Sequence, residues 1–197
     1  MWQRSRRGSW SVAAVVLVGL AAAGCSGSDD EPEADTPTPT ASSSAATPEV
    51  ATDVSIGKLA GKLPTARRAA LAGDVQQVVD GWIDAAYLAG DYPRTDFSDS
   101  WPGFTAGARA TASRDGDLMS NKEIGASIDG VEPEKRQVVL DVLSVKKKPV
   151  GVTAHVVVRF ATTGDTTKDV RVAGRLYLTK GTHGWQVFGY DVTKDAR

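Results

Sequence analysis

The sequence predicts an α+β domain in which helices come first and an antiparallel sheet of about four strands follows. Two patterns carry this prediction. Apolar residues recur at helical spacing in the stretch that opens at Pro64, and from about Ile124 they occupy every second position. The stretch from Asp53 to the end, about 145 residues, has the size of one domain with one core.

The first 24 residues have the organisation of a secretory signal peptide. Three arginines precede an apolar run from Val12 to Ala23, and small residues stand directly before Cys25. The run holds about 12 residues, fewer than the roughly 20 that a membrane-spanning helix needs. We therefore expect residues 1–24 to be removed on export.

Ala22-Ala23-Gly24-Cys25 resembles the lipobox of bacterial lipoproteins, although the family usually has Leu at the position of Ala22. The resemblance implies that the Cys25 thiol is acylated with chains such as palmitate, and two chains hold a protein stably on a bilayer. It also implies a location at the cell membrane, anchored on the extracytoplasmic side. The alternative is an ordinary signal peptide followed by a chance cysteine. Cys25 is the single cysteine of the chain, so it cannot form an intramolecular disulfide.

Residues 25–52 are predicted to be a disordered tether that begins at the lipidated cysteine. They contain a cluster of acidic residues, a Thr-Pro repeat and a run of serines, but no aromatic or basic residue. This composition buries too little apolar surface to offset the entropy of ordering. As a flexible coil the tether would span on the order of 30 Å, and it would hold the domain formed by residues 53–197 away from the membrane.

Two helical segments are predicted at the start of the domain. The first runs from Pro64 to Gly90, and we expect its apolar face to lie on an apolar surface. Thr105 is the predicted N-cap of the second, AGARATASRDGDLM. The apolar face of the first helix comprises Leu71, Val75, Val78, Val79, Trp82, Ile83 and Ala86, and its polar face comprises Gln76, Gln77, Asp80 and Asp84.

The strand prediction depends on four alternating segments joined by short links. Links at 147–149, 163–167 and 181–184 have lengths typical of antiparallel hairpins. One buried face per strand is expected. The residues assigned to that face are Val138, Leu140 and Val142, then Val150, Val152, Ala154, Val156, Val158 and Phe160, then Val170, Val172, Leu176 and Leu178, followed by the last strand at 184–192.

The long helix with Trp82 to Tyr87, the later strands and the ending Gly184-Trp185-Gln186-Val187-Phe188-Gly189-Tyr190 together resemble the NTF2-like superfamily, which includes SnoaL-type proteins. The resemblance covers most of Pro64 to Thr193. It implies a curved sheet with helices that close a cone-shaped pocket, and often a homodimer formed through the sheet. It implies no single function, because the superfamily includes both enzymes and non-catalytic binding modules.

Six aromatic residues are candidates for lining such a pocket: Trp82, Tyr87, Tyr92, Trp101, Phe160 and Phe188. Ligand pockets are mostly apolar, so these residues would suit a lipid or another small apolar ligand. The alternative is that they form the core, which is the commoner place for aromatic residues in a small domain.

Asp141, His155, Arg159 and Arg175 are candidates for a polar cluster on the exposed face of the sheet. An enzyme of SnoaL type would need such ionisable groups as a positioned base. Charge pairs across neighbouring strands are also common without any chemistry. The chain has two histidines, and it has neither a metal-ligand spacing nor a phosphate-binding glycine loop, so we predict no metal and no cofactor and treat catalysis as the minority hypothesis.

Three functions remain open at this point. A non-catalytic accessory module that docks on an envelope protein is favoured by the predicted anchor and tether. The others are lipid or small-molecule binding in the cone and a SnoaL-type enzyme. Nucleic acid is not expected, because the chain from Asp53 onward has 20 basic and 18 acidic residues. The one basic run, Lys146-Lys147-Lys148, is interpreted as a solvated hairpin tip.

Overall fold

The computed structural model describes residues 50–197, which form an α+β domain, so the α+β class of the prediction is confirmed. The predicted signal peptide, the lipidation site Cys25 and most of the predicted tether lie outside the described residues. The strands are β1 (Asp53–Ala60), β2 (Gly130–Val145), β3 (Lys148–Thr163), β4 (Asp169–Gly181) and β5 (Gly184–Ala196). The helices are α1 (Thr65–Ile83), a π-helical turn (Asp84–Leu88), α2 (Ala106–Arg114) and α3 (Gly116–Met119).

The sheet has five strands in the order β1-β2-β3-β4-β5, which corrects the expected number of about four. The four strands from β2 to β5 form the predicted antiparallel meander. The additional strand is β1, which pairs with β2 in parallel and makes the sheet mixed. A strand therefore precedes the helices, and the expectation that helices open the domain is wrong.

One face of the sheet, which we call the inner face, forms the core together with α1. The apolar positions of α1 that face inward are buried, as are alternate positions of each long strand. Trp82 of α1 contacts Tyr87 and Phe104 at ring-centre distances of 5.5 and 6.3 Å. The buried inner-face residues are Val138, Leu140, Val142, Val152, Ala154, Val156, Val158, Phe160, Val170, Val172, Leu176, Leu178, Trp185 and Val187.

The helix boundaries follow local chemistry. The hydroxyl of Thr105 accepts a hydrogen bond from the Ala108 backbone N–H at 3.3 Å, which confirms the predicted N-cap of α2. At the end of the π-helical turn, the guanidinium of Arg94 donates to the carbonyls of Ala85 and Ala89 at 2.7 and 3.2 Å. A cation at this place suits the negative end of a helix dipole.

Among residues 50–197, the structure contains no helix with the length and apolar character to cross a membrane.

A β-bulge changes the orientation of one residue that the alternation assigned to the core. The β2–β3 register shifts between Leu143 and Ser144, which leaves Val150 as an additional residue in β3. Val150 is 43% exposed, whereas Val152 and the following even-numbered residues of β3 are buried. The prediction that Val150 lies in the core is therefore wrong.

Candidate functional site

The candidate site is the other face of the sheet, which we call the outer face. Its side chains alternate with those of the inner face along each strand and are half-buried or exposed. The residues that form its central part are Val139, Asp141 and Leu143 of β2, Thr153, His155, Val157 and Arg159 of β3, Arg171, Ala173, Arg175 and Tyr177 of β4, and Phe188 of β5.

Asp141 and His155 are in direct contact on this face. His155 Nε2 lies 3.0 Å from Asp141 Oδ2, and the two side chains are 44% and 29% exposed. The other carboxylate oxygen, Oδ1, accepts a hydrogen bond from the backbone N–H of Lys58 at 2.8 Å. Asp141 therefore joins the edge strand β1 to β2 and also binds the histidine.

The contact with Lys58 lies at a bulge in β1. The β1–β2 register shifts between Ile56 and Leu59, and Gly57 sits against the carboxylate. A Cβ at Gly57 would approach Asp141 Oδ1 and Val139 Cγ1 to 2.9 Å each. Glycine is thus the residue that lets the bulge approach Asp141 closely enough for the hydrogen bond to form.

The electrostatics of Asp141 are those of a structural carboxylate. The Lys58 N–H holds its pKa below the usual range, and the hydrogen bond with His155 lowers that pKa further. A general base works best with a pKa near the operating pH, so an aspartate shifted downward is a weak base at neutral pH. The Asp141–His155 pair lies on an open face, where water has access to both side chains.

The two arginines of the predicted polar cluster occupy different positions on the outer face. Arg175 is the cross-strand neighbour of His155, but its guanidinium donates to Asp191, and this hydrogen bond raises the pKa of Arg175. Arg159 pairs across the strands with Lys135 and Arg171 and lies further along the sheet. The structure thus brings Asp141 and His155 together, places Arg175 beside them and leaves Arg159 apart.

An aromatic pair lies next to this polar group. The rings of Tyr177 and Phe188 are 6.3 Å apart, and Phe188 is 55% exposed. A register shift in the β4–β5 pairing follows Tyr177, and Phe188 is the additional residue at that point. Of the six candidate pocket residues, Phe188 is therefore the one that the structure places on the outer face.

The other candidate aromatics pack inside the domain. Trp82, Tyr87 and Phe160 are fully buried, and Trp101 is nearly so. Trp82 Nε1 donates to the carbonyl of Met119 at 3.3 Å, and the Tyr87 hydroxyl donates to that of Leu118 at 2.7 Å. Burial raises the pKa of Tyr87 well above its usual value, so its hydroxyl stays protonated.

Tyr92 is half-buried and belongs to a hydrogen-bonded junction. Its hydroxyl donates to the Tyr87 carbonyl at 3.1 Å and accepts from Asn121 Nδ2 at 3.0 Å. The Asn121 amide also donates to the Tyr87 carbonyl at 2.9 Å. These contacts connect the end of the π-helical turn to the segment after α3, so the Tyr92 hydroxyl is already engaged within the chain.

Sequence reasoning did not identify Arg136, a cation that contacts two carboxylates. It lies on β2, its side chain is 9% exposed, and it contacts Asp80 at 2.8 Å and Asp84 at 2.7 Å. Thr52 also donates to Asp80 at 2.7 Å. The spacing of Asp80 and Asp84 on one helix face was visible in the sequence, but nothing local indicated that an arginine on a distant strand would bind both.

Two surface clefts lie beside residues already described, one near Arg159 and one near Arg94. One, of about 460 Å³, contains arginines and acidic residues in equal number: Glu134, Arg159, Asp169, Arg171, Asp195 and Arg197. The other, of about 270 Å³, lies beside Arg94 and Phe97. Within residues 50–197, no group of three or more His, Cys, Asp or Glu side chains has the arrangement of a metal site.

Comparison of this chain with protein-family models, curated proteins and solved structures finds no match.

Proposed function

We propose that the protein is a lipid-anchored protein of the bacterial cell envelope whose domain docks on another envelope protein through the outer face of its sheet. The observation that carries this proposal is Phe188, an aromatic side chain 55% exposed and packed against Tyr177 on that face. Exposed aromatic residues of this kind are enriched at the centres of protein interfaces.

The surroundings of the aromatic pair support a protein partner. Polar side chains flank it, and they are engaged within the face: Arg175 forms a salt bridge with Asp191, and Asp141 is hydrogen-bonded to His155. A partner that covers the aromatic centre would therefore meet a polar rim whose groups already have hydrogen-bond partners. An apolar centre with a satisfied polar rim is the usual anatomy of a protein interface.

The interior favours docking over ligand binding or catalysis. The space between α1 and the inner face is occupied by Trp82, Tyr87, Phe104 and Phe160, whose rings contact one another at 5.5 to 6.3 Å. The ionisable pair that an enzyme would need lies on the open face, and the pKa of Asp141 is lowered. These features support a non-catalytic module more than a lipid carrier or a SnoaL-type enzyme.

We also propose that the domain is a member of the NTF2-like superfamily. Three features support this assignment: a long helix that bears Trp82, an antiparallel meander, and a last strand with Trp185 and Tyr190. An experimental structure would test it by the curvature of the sheet. A flat sheet with no concave side would contradict the assignment and leave the docking proposal intact.

Photo-crosslinking in the native membrane tests the docking proposal. A photoreactive phenylalanine analogue replaces Phe188 in the full-length chain, and the matched control carries it at Gln77, an exposed position of α1. We expect one discrete adduct with a different envelope protein from position 188, none from position 77, and a lower yield when Tyr177→Ala is added. An adduct with a second copy of this chain would assign the face to a homodimer instead. The absence of any adduct at 188 would contradict docking through this face.

The anchor is tested separately through Cys25. In wild-type cells we expect the mature chain to begin at an acylated Cys25 and to fractionate with membranes, which mass spectrometry of its N-terminal peptide would show. Cys25→Ser should abolish acylation and block lipoprotein processing. A mature N-terminus elsewhere, with an unmodified thiol, would establish the ordinary signal peptide and leave the outer-face proposal untouched.

A further inference from the structure

Three segments meet at one end of the sheet, which we call the basic end. They are residues 58–68, which comprise the end of β1, its link to α1 and the first turn of α1, and the hairpin tips 145–150 and 179–184. Arg67 Nη1 donates to the Lys147 carbonyl at 2.8 Å, and the Ser144 hydroxyl donates to the Lys62 carbonyl at 2.8 Å. The pairing of Gly151 with Thr179 places the second tip beside the first.

Positive charge is concentrated at this end. The three segments carry eight exposed lysines and arginines and no acidic residue, which leaves twelve basic and eighteen acidic residues for the rest of the chain from Asp53 onward. The near-neutral total thus conceals a strong separation of charge. None of the eight forms a salt bridge with another residue in the range 50–197. They are Lys58, Lys62, Arg67, Arg68, Lys146, Lys147, Lys148 and Lys180.

Several of these basic residues occupy positions where the local backbone favours other residue types. Lys146 and Lys147 form the two-residue β2–β3 turn with φ values of 50° and 62°, where asparagine and glycine are the favoured residues. They are the non-glycine residues with positive φ in the described part of the chain. Arg67 and Arg68 lie in the first turn of α1, which has no acidic residue, although the helix dipole favours negative charge there. The sequence therefore maintains positive charge at this end in two places against local preference.

Apolar side chains are exposed among these cations. Val145 and Val150 flank the lysine turn and are 49% and 43% exposed, and Leu143 beside them is 51% exposed. Basic residues combined with protruding apolar side chains are characteristic of surfaces that bind the interface of an anionic bilayer. On such surfaces the cations contact lipid headgroups, and the apolar side chains enter the boundary between headgroups and acyl chains.

We infer that the basic end rests on an anionic phospholipid surface. This contact is additional to the lipid anchor and uses a surface different from the aromatic pair proposed for protein docking. With the hairpin tips on the bilayer, the strands stand roughly upright, and the outer face is turned sideways toward other proteins of the same membrane.

The length of the predicted tether is compatible with this orientation. The described chain enters the sheet at Asp53, which pairs with Gln137, and β1 then runs toward the basic end. Eight residues of strand cover about 26 Å. The predicted reach of the tether, on the order of 30 Å, is similar. An anchored chain can therefore bring its basic end down to the bilayer.

The test uses the chain from Ser26 to Arg197, which lacks the acylated cysteine, so that acyl chains contribute nothing to binding. It contains the whole hydrophobic core that residues 50–197 form, whose members lie between Leu63 and Val192. Co-sedimentation is measured with vesicles of phosphatidylcholine alone and with an equimolar mixture of phosphatidylcholine and phosphatidylglycerol. We expect binding to the anionic vesicles only, and weaker binding as salt increases.

Two matched triple variants locate the contact. Lys146→Gln, Lys147→Gln and Lys148→Gln together should lower partitioning onto anionic vesicles on the order of a hundredfold. Lys135→Gln, Arg159→Gln and Arg171→Gln remove the same charge from a cross-strand row further along the sheet and should cause a much smaller loss. Equal losses in the two variants, or no preference for anionic vesicles, would overturn the inference. If the lysine variant keeps its binding to anionic vesicles and yet reduces crosslinking from position 188, the basic end belongs to the protein interface and the inference is overturned.

A site-specific dye provides a second measurement. Because Cys25 is the single cysteine of the chain, a new cysteine in the 26–197 chain can be labelled alone. An environment-sensitive dye at Val145→Cys should shift to an apolar signal with anionic vesicles, whereas the same dye at Asp165→Cys, in the β3–β4 link, should not. A shift at Asp165→Cys alone would show that the opposite end of the sheet contacts lipid and would overturn the inference.

Discussion

The inner and outer faces of the sheet are built from the same strands, yet their side chains differ in burial and in the contacts they make. Phe160 on the inner face is fully buried against Tyr87, whereas Phe188 on the outer face is half exposed and, among the aromatic residues of 50–197, contacts Tyr177 alone. Polar groups follow the same division. Arg136, on β2 beside α1, binds two carboxylates, while the Asp141–His155 pair remains open to water. The fold thus depends on one face and leaves the other available for binding.

The largest expected effect is on the inner face. Phe160→Ala removes a buried ring that packs on Tyr87 at 6.0 Å, and it should lower the free energy of unfolding by about 3–5 kcal/mol. Denaturant unfolding of the 26–197 chain measures this value. Val158→Ala, a smaller deletion on the same strand, is the matched comparison and should cost less. A loss below about 1 kcal/mol for Phe160→Ala would contradict a close-packed interior and favour the alternative of a ligand-binding cavity.

Arg136 tests whether the partly buried ion pairs beside α1 matter for the fold. Arg136→Met leaves Asp80 and Asp84 without their cation, and it should destabilise the domain by about 2–3 kcal/mol, below the range for fully buried pairs because Asp84 is partly exposed. Arg171→Met on the outer face is the control, since its contact with Asp195 is 4.0 Å long and exposed; it should cost below about 1 kcal/mol. Similar losses of stability for both variants would show that the ion pairs of the two faces contribute equally, and would contradict the proposed difference.

The parts of the fold that follow from local pattern could be predicted from the sequence. The apolar period of α1, the Thr105 cap and the hairpin spacings each identified an element that the structure contains. The strand β1 was missed because its alternation is short, Gly57 and Lys58 interrupt it at the bulge, and its parallel partner lies more than 80 residues away. Bulges also misled the assignment of faces, because one additional residue at Val150 reverses the alternation.

The candidate site was less accessible to sequence reasoning than the fold. Asp141 and His155 could be placed on one face by alternation, but the contact of Asp141 with the Lys58 N–H depends on a strand that the pattern did not reveal. Arg136 was missed for a different reason: its partners Asp84 and Asp80 are 52 and 56 residues away, and no local pattern links them to it. The basic end is formed from three separate segments, of which just one, Lys146 to Lys148, forms a run in the sequence.

An intermediate effect is expected for Asp141, whose hydrogen bond with the Lys58 N–H supplements the backbone pairing of β1 with β2. Asp141→Ala should lower the free energy of unfolding by about 1 kcal/mol and speed amide exchange in β1. His155→Ala, which keeps the Lys58 hydrogen bond, should cost less and leave β1 protected. Faster exchange in β1 with His155→Ala but not with Asp141→Ala would contradict this assignment.

The same aspartate predicts a pH dependence. Because the pKa of Asp141 is lower in the folded chain than its ordinary value, its ionised form stabilises the fold at pH above about 4. That contribution is lost as pH falls through the folded pKa. The stability difference between wild type and Asp141→Ala should therefore be constant at neutral pH and shrink in acid. A difference that grows in acid would reverse the sign and contradict a carboxylate held by hydrogen bonds.

The smallest effect on stability, and the most informative about function, is expected at Phe188. Because its ring is half exposed, Phe188→Ala should change the free energy of unfolding by less than about 1 kcal/mol. The variant should nevertheless fail to replace the wild-type chain in a deletion strain, while Gln77→Ala on exposed α1 should succeed. Failure without loss of fold would show that the outer face carries the function for which the inner face provides the scaffold. Full complementation by Phe188→Ala would instead place the function elsewhere, with the basic end as the next surface to vary.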